Sequence, residues 1–235
     1  MITGGNIIFL LCAYLLGSIP SAVWIGKYFY KTDVREYGSG NAGATNVFRV
    51  LGKKAGIPVL LLDILKGFAG VSLAYLSIYP KGSNQLTDLQ LVLGIAALVG
   101  HIFPVFAQFR GGKGIATLLG IILAIHLYAG LASIAVFIIV LLAFSYVSLA
   151  SIIASIMFPV IVVVIDKTCK QHSAAHETLI PMLTNPLIIF SILIPIMVLI
   201  THQKNIERLL RREESKSKLI KKKKKAEEPV TEETK

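Results

Sequence analysis

The stretch that decides the fold is IATLLGIILAIHLYAGLASIAVFIIVLLAFSYVSLASIIASIMFPVIVVVI, Ile115 to Ile165, which contains no Asp, Glu, Lys or Arg. A hydrocarbon core of about 30 Å takes roughly 20 helical residues, so roughly fifty make two long crossings or three short ones. Periodicity does not choose between them, because every face is apolar. Charge does. Two crossings leave the lysine-rich end outside and the near-neutral segment 166–184 inside, whereas three reverse both and keep the basic residues in the cytoplasm. Three helices are therefore expected, with breaks near Leu127 to Leu131 and near Tyr146 to Ser151.

Working outward, spans are expected from Ile2 to Phe29, from Ile57 to Tyr79, from Leu89 into the segment after Gly100, and from Asn185 to Thr201. The first lacks the basic start and small-residue cleavage site of a signal peptide. The fold expected is an all-α membrane protein, a polytopic bundle of about seven transmembrane helices with the N-terminus outside and the C-terminus cytoplasmic. Composition agrees: 54% of the 235 residues are hydrophobic and 16% charged, with a mean hydropathy of +0.71, too apolar for a soluble domain. Of the 24 basic residues, 12 lie beyond Ile200. That concentration suits an anionic lipid surface, and no soluble domain is evident that would read nucleic acid. Residues 1–214 read as one integral-membrane domain and residues 215–235 as a charged, disordered tail. Just before that tail, Ile206, Leu209 and Leu210 share one face of a short amphipathic helix. Cys12 and Cys169 make neither a disulfide framework nor a metal cluster.

Two polar stretches interrupt the apolar runs. Gly100 to Thr117, GHIFPVFAQFRGGKGIAT, gathers His101, Arg110 and Lys113 among glycines, and Gly38 to Gly56, GSGNAGATNVFRVLGKKAG, gathers Ser39, Asn41, Thr45, Asn46 and Arg49. Glycines let several N–H groups converge on a ligand, Lys adds a flexible cation, and Arg meets two oxygens at once, a combination suited to phosphate. A solvated glycine loop with basic residues facing the cytoplasm fits each stretch equally well. Both stretches fall on the same face, which favours a shared site. Lys113 is followed by Gly114 rather than Ser or Thr, so a Walker loop is excluded. Asp63 and Lys66, three apart on a helix, form a neutralising pair, with Lys66 adding field to the site. His101 and His202 end spans beside the polar stretches, whereas His126, His172 and His176 lie away from them.

Three segments in order, GSGNAGATNVFRVLG, GHIFPVFAQFRGGKGIAT and HQKNIERL (His202 to Leu209), resemble the signature motifs of the bacterial integral-membrane acyltransferases that use acyl phosphate and glycerol 3-phosphate, the PlsY family. The resemblance extends from the first helix to about Glu214 and includes the DILKG of Asp63 to Gly67 and the YVSLAS of Tyr146 to Ser151. It implies transfer of a long-chain acyl group to the 1-hydroxyl of glycerol 3-phosphate, giving lysophosphatidic acid and phosphate with no metal, nucleotide or other cofactor, in the bacterial cytoplasmic membrane with the site facing the cytoplasm. By position it implies that Ser39, Gly40, Asn41, Gly111, Gly112 and Gly114 hold phosphate. Arg49, Lys113, Ser148, His202 and Asn205 would then handle glycerol 3-phosphate and developing charge, with Arg49, Lys113 and His202 catalytic. Asn46, Lys66 and His101 complete the expected substrate-binding set.

The chain departs from the pattern at Gln203, where a basic residue is usual, at Arg212, where Gly is usual, and at Ser145, often Arg. Soluble glycerolipid acyltransferases place Asp five residues after a His; here Phe106 and Glu207 stand at those positions, so that dyad is not supported. A transporter of phosphorylated small molecules would share the helices and the cations. A CDP-alcohol phosphotransferase needs clustered aspartates, yet Asp33, Asp63, Asp88 and Asp166 are isolated.

Overall fold

The computed structural model describes residues 4–170 and 185–217. Those residues form ten α-helices: α1 (Gly4–Gly17), α2 (Ser21–Tyr30), α3 (Ala44–Val50), α4 (Lys53–Ser72), α5 (Asn84–Ile102), α6 (Ile115–Ile125), α7 (Leu127–Phe144), α8 (Val147–Lys170), α9 (Pro186–Thr201) and α10 (Gln203–Leu210). Three 3-10 turns join them at Val34–Glu36, Leu73–Leu76 and Val105–Ala107, and no strand is present among the described residues. His172, His176 and most of the expected tail lie outside them. The short amphipathic helix is α10, with Ile206 against the core and Leu210 exposed.

Among the described residues four helices are long and apolar enough to cross a membrane, or up to six spans if the bent pairs α1–α2, at 41°, and α9–α10, at 65°, each count as one. The expected continuous first span is broken at Ser18–Pro20, because Pro20 lacks an N–H and cannot carry the helical ladder onward. The charge-free run does divide into three helices. Its breaks fall at His126 and at Ser145–Tyr146, slightly ahead of the expected positions. His126 stops α6 and caps α7, its Nδ1 accepting from the Ala129 N–H at 3.3 Å. Ser145 ends α7 in the left-handed region at φ 64°.

Glycines let the helices cross closely. A Cβ on Gly17 or Gly100 would strike the Ala97 or Tyr14 carbonyl between α1 and α5, and one on Gly67 or Gly120 would strike the Thr117 or Ile64 carbonyl between α4 and α6. Such small-residue seams hold membrane helices together where burial against lipid gives no gain. A core of Val71, Leu98, Ile121, Phe158, Val162 and Val198 fills the space between α4, α5, α6, α8 and α9. Leu61, Leu65, Ile139 and Leu142 project outward from α4 and α7 as the lipid face requires.

Candidate active site

The first wall is the segment from Asp33 to Arg49. Asp33 caps the turn that follows, accepting from the Arg35 N–H at 3.1 Å and from its guanidinium at 3.0 and 2.7 Å. That Arg35 contact holds the Asp33 carboxyl far below the usual range, against the opposing effect of burial. Arg35 Nη1 also donates to the Ala107 carbonyl at 3.1 Å, tying this loop to the central one. Gly38 and Gly40, at φ 65° and 71°, turn the chain. Asn46 is buried and fully engaged: its Oδ1 accepts from the Ser39 N–H at 2.8 Å, and its Nδ2 donates to Val34 and Tyr37 carbonyls at 2.7 and 3.1 Å. It shapes the loop rather than meeting a substrate.

The second wall is Gly111 to Gly114. The Gly111 and Gly112 N–H groups donate to the Ile102 and His101 carbonyls, each at 3.2 Å, so they close the turn and are not the open phosphate donors expected. Gly112 is wedged between the loops: a Cβ there would strike His101 Nε2 and press on the Ala42 carbonyl at 3.1 Å. Gly114, at φ 80°, starts α6.

Below that turn lies a buried polar cluster. Lys66 Nζ sits 2.9 Å from Asp63 Oδ1 and donates to the Ile19 carbonyl at 2.8 Å, taking up an acceptor freed by the α1–α2 break. Ser21 donates to the same Asp63 oxygen at 2.5 Å, and His101 Nδ1 lies 2.9 Å from Thr117 Oγ1. Lys66 and His101, expected to bind substrate, therefore support the loop from beneath. The neutralising pair expected of Asp63 and Lys66 is present.

The third wall is the corner between α9 and α10. Ser39, Gly40, Asn41, Lys113 and Asn205 line a cleft of about 210 Å³ together with Thr201, Lys204 and Arg208. Lys113 Nζ donates to Asn205 Oδ1. Buried Glu214 accepts from Ser148 Oγ at 2.9 Å, Asn205 Nδ2 at 2.8 Å and Arg208 Nε at 2.8 Å. Nothing in the sequence separates Glu214 from Glu213 beside the tail; the usable signal is an acid just past a helix that carries Asn205 and Arg208. Burial raises the Glu214 carboxyl, but the Arg208, Asn205 and Ser148 donors outweigh it and leave it lowered.

Burial lowers the Lys113 ammonium to about 8; Glu214 opposes that shift, while Arg208 and Arg49 add to it by repulsion. Arg49 thus acts on the same spot from α3. His202 is buried, and its Nδ1 lies 2.8 Å from the Val198 carbonyl. A carbonyl only accepts, so Nδ1 carries a proton; burial, with Lys113 adding to it, lowers the imidazole to about 4, and in the neutral ring Nε2 is left as an acceptor. One carboxylate against Lys113, Arg49, Arg208 and Lys204 makes the cleft an anion site.

Apolar helices that gather such a site at one end define a multi-pass membrane protein that handles anions. The family model described as glycerol-3-phosphate acyltransferase matches residues 7–212, and the chain belongs to that family: it is an acyltransferase of phospholipid synthesis. Relatives named glycerol-3-phosphate acyltransferase include one from Enterococcus faecalis, 43% identical over 89% of this chain and 91% of its own, and one from Staphylococcus aureus, 41% identical over 90% and 98%. Two solved forms of PlsY, an integral membrane glycerol 3-phosphate acyltransferase, share the fold. The glycerol 3-phosphate form is 36% identical with a TM-score of 0.75, covering 91% of this chain and 96% of its own. The lysophosphatidic acid form is 35% identical with a TM-score of 0.72, covering 91% and 95%.

Proposed function

We propose that the protein moves a long-chain acyl group from acyl phosphate to the 1-hydroxyl of glycerol 3-phosphate, giving lysophosphatidic acid and inorganic phosphate. The observation that carries this reading is the cleft between the two glycine loops and the α9–α10 corner, where Lys113, Lys204 and Arg208 face the Ser39–Asn41 turn. Its charge suits two phosphate-bearing substrates, and the PlsY forms named for glycerol 3-phosphate and lysophosphatidic acid supply the acceptor and product.

The hydroxyl oxygen attacks the acyl carbon, the bond from that carbon to the phosphate oxygen breaks, and phosphate leaves with the bonding electron pair. The hydroxyl proton passes to a phosphate oxygen of the substrates. Acyl phosphate is already an activated anhydride, so holding both substrates in line among fixed cations supplies much of the acceleration. In this assignment Ser39, Gly40 and Asn41 hold the donor's phosphate. Lys113 and Arg49 hold glycerol 3-phosphate and the charge that develops, Asn205 orients Lys113, and His202 Nε2 accepts from a substrate hydroxyl. Glu214 keeps Ser148, Asn205 and Arg208 in place. On the same reading the chain crosses the bacterial cytoplasmic membrane seven times with the N-terminus outside, and the cleft opens to the cytoplasm.

The deciding experiment compares acyl phosphate, acyl-CoA and acyl carrier protein as donors for the purified enzyme. Phosphate release from acyl phosphate only in the presence of glycerol 3-phosphate is expected. Turnover with the thioesters alone would overturn the donor assignment.

A further inference from the structure

A second cleft, of about 440 Å³, lies between α2 and the turn at Val105–Ala107 and shares no lining residue with the anion cleft. Lys27, Lys31 and Arg35 line it together with Trp24, Tyr28 and Phe106. Asp33 lies 3.1 Å from Lys27 Nζ and is doubly bonded by Arg35, and Glu36 also acts on Arg35; three cations against these two carboxylates leave positive charge in excess. Lys31 is held at φ 53° where α2 ends, a position that favours glycine, yet the chain keeps a cation there.

The other wall is apolar. Trp24 and Phe106 pack with ring centroids 6.3 Å apart, both are substantially exposed, and Tyr28, Phe29 and Phe103 beside them are exposed as well. Aromatic rings at a helix end mark the membrane interface. Cations beside an aromatic wall that continues onto the lipid-facing surface fit an amphiphilic anion better than a soluble one, which has no use for the wall.

We propose that this cleft seats the headgroup of an anionic phospholipid, with its phosphate against Lys27 and Lys31 and the start of its acyl chains along Trp24 and Phe106. The bound lipid braces Arg35 and hence the first substrate loop. None of these residues enters the acyl-transfer assignment.

Trp24 is the single tryptophan of the chain, so its fluorescence reports the cleft directly. The full chain is reconstituted into phosphatidylcholine vesicles containing equal mole fractions of brominated phosphatidylglycerol or brominated phosphatidylcholine. Stronger quenching by the anionic lipid is expected. Each lysine at an anionic surface favours association about fivefold, so Lys27→Gln with Lys31→Gln should lower the relative association of the anionic lipid roughly tenfold or more. Lys27→Arg with Lys31→Arg should keep the preference, and acyl transfer in pure phosphatidylcholine, measured on both pairs, should stay near wild type. Equal quenching by the two lipids in the wild type, an undiminished preference in the Gln pair, or loss of preference in the Arg pair would overturn the proposal. A preference abolished by free inorganic phosphate would do so too, by assigning the cleft to soluble anions.

Discussion

At the scale of single residues, Lys113 is the group whose charge the proposed assignment relies on and whose surroundings weaken it. With its ammonium lowered to about 8, kcat/KM should fall as pH rises through that value, because the free enzyme then loses the cation that draws in the phosphate. Lys113→Arg should move this limb to higher pH, while Lys113→Ala or Arg49→Ala should cost roughly 100-fold or more without unfolding. Near-normal rates in the alanine variants would place the chemistry elsewhere. Glu214 titrates in the opposite sense. Its folded carboxyl lies below the unfolded one, so its stabilisation is complete above the ordinary Glu range and disappears as pH falls through the folded value. Glu214→Gln should remove that acid-dependent part of the melting midpoint and cost about 1.5 kcal/mol, the low end for bonds to a charged group because Arg208 stays partly exposed. At Arg212 the structure shows why the family pattern has Gly, and nothing in it explains the Arg found here. At φ 60° it sits where α10 reverses, its N–H donating to the Leu209 carbonyl at 3.1 Å and that of Glu213 to Arg208 at 2.8 Å. This is a Schellman turn that favours glycine. Arg212→Gly should therefore stabilise the protein by about 1 kcal/mol in a detergent melt, and a lowered midpoint would mean that the Arg side chain makes a compensating contact.

At the scale of elements, the break between α6 and α7 is held by a cap and not by a glycine or proline. Removing the His126 acceptor by His126→Ala should cost about 1 kcal/mol of stability yet leave at least half the activity, because His126 lies away from the cleft. A larger loss of turnover would tie α7 to the chemistry. The same break shows what was legible in advance. Charge parity called for three helices across residues 115–165, and their positions were fixed to within a few residues. The bend at Pro20 was open to reading from proline alone but was hidden inside a run of continuous apolarity. Among site residues, Ser39, Gly40, Asn41, Lys113 and Asn205 do share one cleft. The roles of Asn46, Lys66 and His101 were not legible, because a polar side chain looks alike in sequence whether it faces a ligand or satisfies a neighbour's backbone. Glu214 was missed for a related reason: only the turn at Arg212 carries it back onto Ser148.

At the scale of the whole molecule, the hydrogen bonds settle which helix ends lie together. Lys113 meets Asn205, Ser148 meets Glu214, and the Ser217 N–H donates to the Ser145 carbonyl at 2.7 Å, so the central loop, the α7–α8 break and the α9–α10 corner occupy one end of the bundle. From Lys113 to Ser145 the chain must therefore go out and return. The return is α7, 18 residues long, and the outward leg is α6 with only 11. At about 1.5 Å per residue the two legs differ by roughly 10 Å, so Gly114 sits about that far inside the end of α7. In the proposed seven-span arrangement the short α6 is a crossing that starts from a recessed site, and burial there is also what lowers the Lys113 ammonium. In a background with Cys12 and Cys169 replaced by Ser, single cysteines at Lys53 and Lys216 should react with an impermeant maleimide only from the cytoplasmic side. Cysteines at Gly82 and His126 should react only from outside. Labelling of position 126 from the cytoplasmic side would make α6 a re-entrant segment and remove the seventh crossing.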